Sequence, residues 1–264
     1  MRVSRATTAA VTASVLLMPP LLGCAGPTDL ARNAAGDAAT LEAVDGAAED
    51  PVTDRPRHAR DDVLLGNPFA GIGTDAPWVD GSRHGAWRSL YNGYGTVFLR
   101  GGEPAALSQR PMAATSEDET HAALAVTLQE YGAVDVTVRQ RTVEQLRASD
   151  PNTWEVPWLL WAHSDDEHFY YLVLKPNGWE LGKADPAYPG AQRFLATGSS
   201  PSFSLGDWHT ARVRHTGDTI EVWGDGRLLT RFVDRERPYL GGHVGLYTED
   251  AHVEHTDLEI RRAD

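Results

Sequence analysis

Cysteine and lysine are nearly missing from this 264-residue chain. Cys24 is its one cysteine, so no intramolecular disulfide can form and a folded domain must rest on its own core. The only two lysines, Lys175 and Lys183, stand against a background of arginine and flank a single Pro176-Asn177-Gly178 turn. Cations as a whole are outnumbered, 24 Lys and Arg against 37 Asp and Glu, for a formal net charge of −13. A surface that acidic gives counterion release from nucleic acid no general foothold, which argues against a nucleic-acid partner and for neutral polar ligands or divalent cations. Also missing are a Gly-rich phosphate loop, a nucleophile elbow, a nucleotide fingerprint and a zinc-type histidine cluster, the ten histidines being scattered.

What is present begins with an export signal. Met1-Arg2-Val3-Ser4-Arg5 places two positive charges ahead of an Ala/Val/Leu-rich stretch. That stretch is interrupted by Pro19-Pro20 and falls short of the roughly 20 apolar residues that a bilayer span needs. Leu21-Leu22-Gly23-Cys24 resembles a lipobox, in which cleavage before the cysteine frees a thiol for lipid attachment. The expectation is a signal peptide over 1–23 and a membrane anchor through Cys24, facing the extracellular side. From 24 to 65 the chain is rich in Ala, Gly, Asp, Glu and Arg with little apolar surface, the composition of a flexible tether. A weak helix near 37–48 is the one element expected there. A random coil of that length reaches roughly 30–40 Å.

Composition changes at Asn67-Pro68-Phe69, after which all eight tryptophans appear, so the folded domain is expected over 66–264. Short runs of period-two alternation, separated by Gly, Pro, Asp and Asn, predict antiparallel strands. They fall at 96–99, 121–128, 134–140, 156–162, 169–174, 179–182, 209–214, 219–223, 227–232, 244–247 and 253–260. Gly224-Asp225-Gly226 supplies the positive-φ residues of a hairpin turn. Helical periodicity is confined to a short segment at 142–148. So many strands with so little helix define an all-β fold of two packed antiparallel sheets.

Alternation also sorts the densest segments into faces. Leu172 and Leu174 point to the core, leaving Tyr171 and Lys175 on the opposite face; in the preceding strand Glu155, Leu159 and Trp161 share a side. In 134–141, valines alternate with Asp135, Thr137, Arg139 and Arg141. If these strands are neighbours, one polar face combines Arg139, Arg141, Glu155, Trp161, Tyr171 and Lys175, and Trp179 and Lys183 complete the candidate contacts. Rings that stack on pyranose faces and charges that bond hydroxyls suit a sugar. Glu155 and Glu180 are the candidate general acid and base there, since glycoside hydrolysis needs two carboxylates at a defined separation. The competing reading is that the aromatics fill the core and the charges form an ordinary wetted face. Asp165-Asp166-Glu167 reads as a solvated turn.

The run 169–183, Asp207-Trp208-His209, Ile220-Glu221-Val222-Trp223-Gly224-Asp225-Gly226 and Gly242-His243-Val244-Gly245-Leu246-Tyr247 resemble the concanavalin A-like lectin/glucanase superfamily. Within it, the pattern is similar to 3-keto-disaccharide hydrolase-like and laminin-G-like domains. The resemblance implies a two-sheet jelly roll, a sugar-facing concave sheet and a calcium ion, for which Asp75 and Asp257 are the candidate ligands. It also covers family 16 glycoside hydrolases, whose catalytic strand reads Glu-x-Asp-x-x-Glu. The nearest acidic run here, Glu249 to Glu254, has a different spacing. The leading expectation is therefore a surface-anchored module that binds extracellular or cell-wall glycan. The alternatives are a glycoside hydrolase and an adhesion domain for a protein partner.

Overall fold

Alternation of apolar and polar residues decides which side of each strand is buried, and it decides it twice, once for each sheet. A computed structural model describes residues 62–116, 118–148 and 150–263. The signal, Cys24, the expected tether up to Asp61 and the weak helix lie outside these residues; Val63 to Leu65, expected to end the tether, instead form part of a strand paired with the last one.

Sixteen strands follow in chain order: β1 (Val63–Gly66), β2 (Arg83–His84), β3 (Trp87–Tyr91), β4 (Thr96–Arg100), β5 (Ala106–Arg110), β6 (Ala122–Thr127), β7 (Val134–Gln145) and β8 (Trp158–Asp165). Then come β9 (His168–Lys175), β10 (Gly178–Ala184), β11 (Gln192–Gly198), β12 (His209–Thr216), β13 (Thr219–Gly224), β14 (Arg227–Val233), β15 (His243–Glu249) and β16 (Ala251–Arg262). The first sheet runs β14-β13-β12-β7-β16-β5-β4, with β1 added beside β16. The second runs β11-β10-β9-β8-β15-β6-β3-β2. Every pairing is antiparallel, and the two sheets pack as a sandwich around one large apolar cluster.

That cluster takes Val134, Val136 and Val138 of β7 and Ile220 and Val222 of β13 from the first sheet. The second sheet supplies Leu159 and Trp161 of β8, Tyr170 and Leu172 of β9 and Leu246 of β15. Trp78, Trp87, Trp161 and Tyr170 are fully buried. Rings of this size withdraw about 150–250 Å² each, on the order of 4–6 kcal/mol of transfer free energy apiece as an upper bound. Gly224-Asp225-Gly226 closes the β13–β14 hairpin as expected, with Asp225 and Gly226 at φ 49° and 77°. The expected helical segment at 142–148 is corrected. Thr142 to Gln145 continue β7, because β16 extends far enough to pair with them.

A second apolar cluster lies on the side of the second sheet turned away from the core. It joins Leu124 and Val126 of β6, Trp158 and Leu160 of β8, and Tyr171 and Val173 of β9. Trp154, Phe169, Tyr91 and Tyr247 pack half-buried against it.

Candidate functional site

The cross-strand register assembles this outer face row by row. Glu180 on β10 lies opposite Val173, Val173 opposite Trp158, Trp158 opposite Tyr247, Tyr247 opposite Leu124, and Leu124 opposite Tyr91. One line across six strands thus carries three aromatic rings with a carboxylate at one end. In the next row Tyr171 faces Gly182, where a Cβ would come within 2.0 Å of the tyrosine ring, so the glycine is what lets the ring lie down on β10. Tyr171 then donates its hydroxyl proton to Glu180 Oε1 (2.9 Å) and accepts from the Gln192 amide (2.5 Å). Lys175 Nζ donates to Glu180 Oε2 at 2.8 Å. Of the expected site residues, Tyr171, Lys175 and Glu180 are therefore brought together.

At the other side of the face, Glu249 continues the outward side of β15 two residues beyond Tyr247, whose hydroxyl donates to Glu249 Oε1 at 2.6 Å. Burial pushes the Glu249 carboxyl up to about 7; Asp250 and Glu155 add to the rise, and Tyr247 and Arg147 oppose it. Arg147 is shared, its Nε donating to Glu155 (2.6 Å) and a terminal nitrogen to Asp250 (2.8 Å). The tip of the β8–β9 hairpin also takes part. Asp166 sits beside Tyr91, burial and the charge of Asp165 raise its carboxyl, and the charges of Asp166 and Glu249 both act on Tyr91 and Tyr247. Asp166 is exposed, as expected of a turn, and its charge reaches the face.

The remaining expectations separate. Trp161 is corrected: it lies between the sheets, stacked on Tyr170 at 5.7 Å. Across β8 and β9, Leu160 pairs with Tyr171 and Trp161 with Tyr170, so Trp158 and Leu160 face outward while Leu159 and Trp161 face inward. Trp179 and Lys183 share the inward side of β10 with Leu181. Lys183 is fully buried, and its ammonium donates to Asp234 (2.8 Å) and to the carbonyls of Glu236 and Arg237. Glu155 is fully buried and held by Arg147 and Asn152. Arg139 and Arg141 are on the first sheet, since β7 pairs with β12 and β16 rather than with β8 or β9. They stack on Trp208 at 5.5 and 4.8 Å and pair with Asp257 and Glu254.

For calcium, the donor set is wanting. Among the described residues no three His, Cys, Asp or Glu gather around a common point, and Asp257 is paired with Arg139. Asp75 and Asp257 do not form a cage. The residues that the sequence reading missed are Trp158, Tyr247, Glu249, Gln192, Tyr91 and Arg147. The alternation of Val244 and Leu246 into the core was enough to turn Tyr247 and Glu249 outward.

No family model and no curated protein matches the chain. Solved structures do match. The chain is similar to a carbohydrate-binding module, CBM66, from Bacillus subtilis (13% identity, TM-score 0.50, 67% of this chain and 95% of that one). It is also similar to the laminarinase from Rhodothermus marinus (15%, 0.49, 76% and 97%) and a Bacillus licheniformis β-glucanase (11%, 0.48, 76% and 98%). At these identities the likeness speaks for the fold alone. The two antiparallel sheets and their strand order define a jelly-roll β-sandwich, the fold to which the likeness with that module points.

Proposed function

We propose that the outer face of the second sheet is a carbohydrate-recognition surface and that the protein acts as a binding module. The cross-strand line of Trp158, Tyr247 and Tyr91 ending at Glu180 carries this reading. Half-buried Trp154, Phe169 and Tyr247 offer ring surface to pyranose faces, while Lys175, Glu180 and Gln192 offer charge-assisted hydrogen bonds to hydroxyls. Tyr171, 1% exposed, acts through Glu180 by holding its carboxylate. The similarity to a carbohydrate-binding module supports the same reading.

Glu180 and Glu249 stand three strands apart, on β10 and β15, and Glu180 is held by Tyr171 and Lys175 where it can meet a sugar hydroxyl. Binding to a neutral glycan panel is expected to fall about tenfold or more in Glu180→Gln and in Phe169→Ala. Wild-type affinity in both would overturn the site. A second reading, hydrolysis, is favoured by one observation, that Glu249 holds a proton near neutral pH close to Asp166 and Tyr91. Sugar release that disappears in Glu249→Gln would establish it. The lipobox-like Cys24 supports display of this module at a membrane surface, and lipid labelling that persists in Cys24→Ala would remove the anchor.

A further inference from the structure

The formal charge of −13 conceals an uneven distribution. On the first sheet, β4, β5, β7, β12, β14 and β16 each turn at least one arginine to the outer side, away from the core valines and isoleucines of the same strands. The second sheet's outer face is instead lined by Glu155, Asp166, Glu180, Glu249 and Asp250, with Lys175 and Arg147 among them. The arginines of the first sheet stand among carboxylates of their own, Asp135, Glu144, Glu221, Glu254, Asp257 and Glu259, and Arg212 spends its N–H edge on Asp135, so what sets this face apart is the number of arginines that stay exposed.

Indoles give the arginine face its shape. Trp208 lies under Arg139 and Arg141, and Trp223 lies under Arg212 at 4.5 Å. Stacking fixes a guanidinium plane and leaves its N–H edge directed sideways, the geometry that grips carboxylates. Arg100 and Arg141 converge on one carboxylate, Glu254, so two cations share a single nearly buried anion. Other partners are loosely held: Asp257, Glu144 and Glu259 are about 40–55% exposed, and Arg231 reaches Glu221 only at 3.9 Å. Exposed ion pairs of this kind contribute little, and a ligand carboxylate can replace such a partner at small cost.

We propose that the outer face of the first sheet is a second docking surface, for an acidic polysaccharide whose repeated carboxylates meet its exposed arginines. Arg100, Arg110, Arg139, Arg212, Arg231 and Arg261, spread over six strands and about 40–65% exposed, suit a polymer with a carboxylate on each unit over a single lipid headgroup. The face is long enough for an extended polymer: the path β14 to β4 crosses seven strands, about 29 Å at the usual strand spacing. This site does not depend on the sugar-binding reading of the opposite face.

The test is affinity electrophoresis of the purified full chain in polygalacturonate, with neutral dextran and phosphatidylserine vesicles as parallel arms. Retardation by polygalacturonate is expected at about 0.05 M salt and its loss near 1 M, where screening lengths shrink to about 3 Å. Arg139→Gln with Arg231→Gln removes two exposed charges without stripping Glu254, so the fold is retained; affinity should drop about tenfold or more, whereas Glu180→Gln leaves it unchanged. Wild-type retardation in the double variant, absence of retardation at low salt, or vesicle binding that depends on the same arginines would each overturn the proposal.

Discussion

Glu249 and Asp234 are both buried carboxylates, and their surroundings drive them in opposite directions. Burial alone would raise Asp234, but hydrogen bonds from Lys183, Tyr170 and the Glu236 amide outweigh it and hold the group below its usual range. Glu249 has Tyr247 and only a share of Arg147, and burial wins. Its carboxyl ionises near 4.5 in the unfolded chain and near 7 in the folded one. The folded state therefore keeps the proton longer, and this contribution to stability is full below pH 4.5 and lost as pH rises through 7. Glu249→Gln should flatten the decline in melting temperature over that interval and leave the variant more stable than wild type at pH 8; an unchanged slope would show that Glu249 is not the titrating group. Lys183→Met strands Asp234 without its ammonium. A loss of about 3–5 kcal/mol in urea unfolding is expected, with folding lost outright if the total stability is smaller. His163 and His255, pushed by burial to about 4 and about 3, act on the acid side: stability from keeping them neutral is present above pH 6.5 and is lost as pH falls.

At the scale of elements, β10 shows how closely backbone and site are joined. Gly182→Ala would drive a methyl group into the Tyr171 ring, an overpacking that costs about 1–3 kcal/mol. The displaced ring can no longer hold Glu180, so a lower melting temperature should be accompanied by weaker glycan binding; full affinity would show that Tyr171 does not position the carboxylate. Strands with unbroken alternation, such as β7, β12 and β13, are legible in the sequence because each buries one clean side. The edge strand β11 and the short β2 and β3 are not, their patterns being brief or half-exposed on both sides. Trp161 falls on the other face from Tyr171 for a reason of register: its partner across β9 is Tyr170, which alternation within β8 does not reveal. Arg139 and Arg141 were grouped with Lys175 for a global one. Their own strand was read correctly, but which strands flank it depends on pairings between distant segments, and period-two alternation carries no information about neighbours.

The whole molecule is built from such distant pairings. β1 lies against β16, and β15 sits between β6 and β8 in the middle of the second sheet. Folding must close long loops before these contacts stabilise anything, so refolding of the domain is expected on the millisecond-to-second scale or slower. A microsecond phase with full recovery of tryptophan burial in stopped-flow fluorescence would contradict this topology.

The place of β16 has a consequence for how the protein is made. It follows every other strand in the sequence, yet it lies inside the first sheet, bonded to β7, β5 and β1. While a ribosome is still translating the stretch before it, β7 and β5 have no neighbour to join them, and that sheet stays in two halves. The first sheet cannot be completed until Ala251 to Arg262 have been made, and a product that stops short of Ala251 is left without its centre and open to proteolysis.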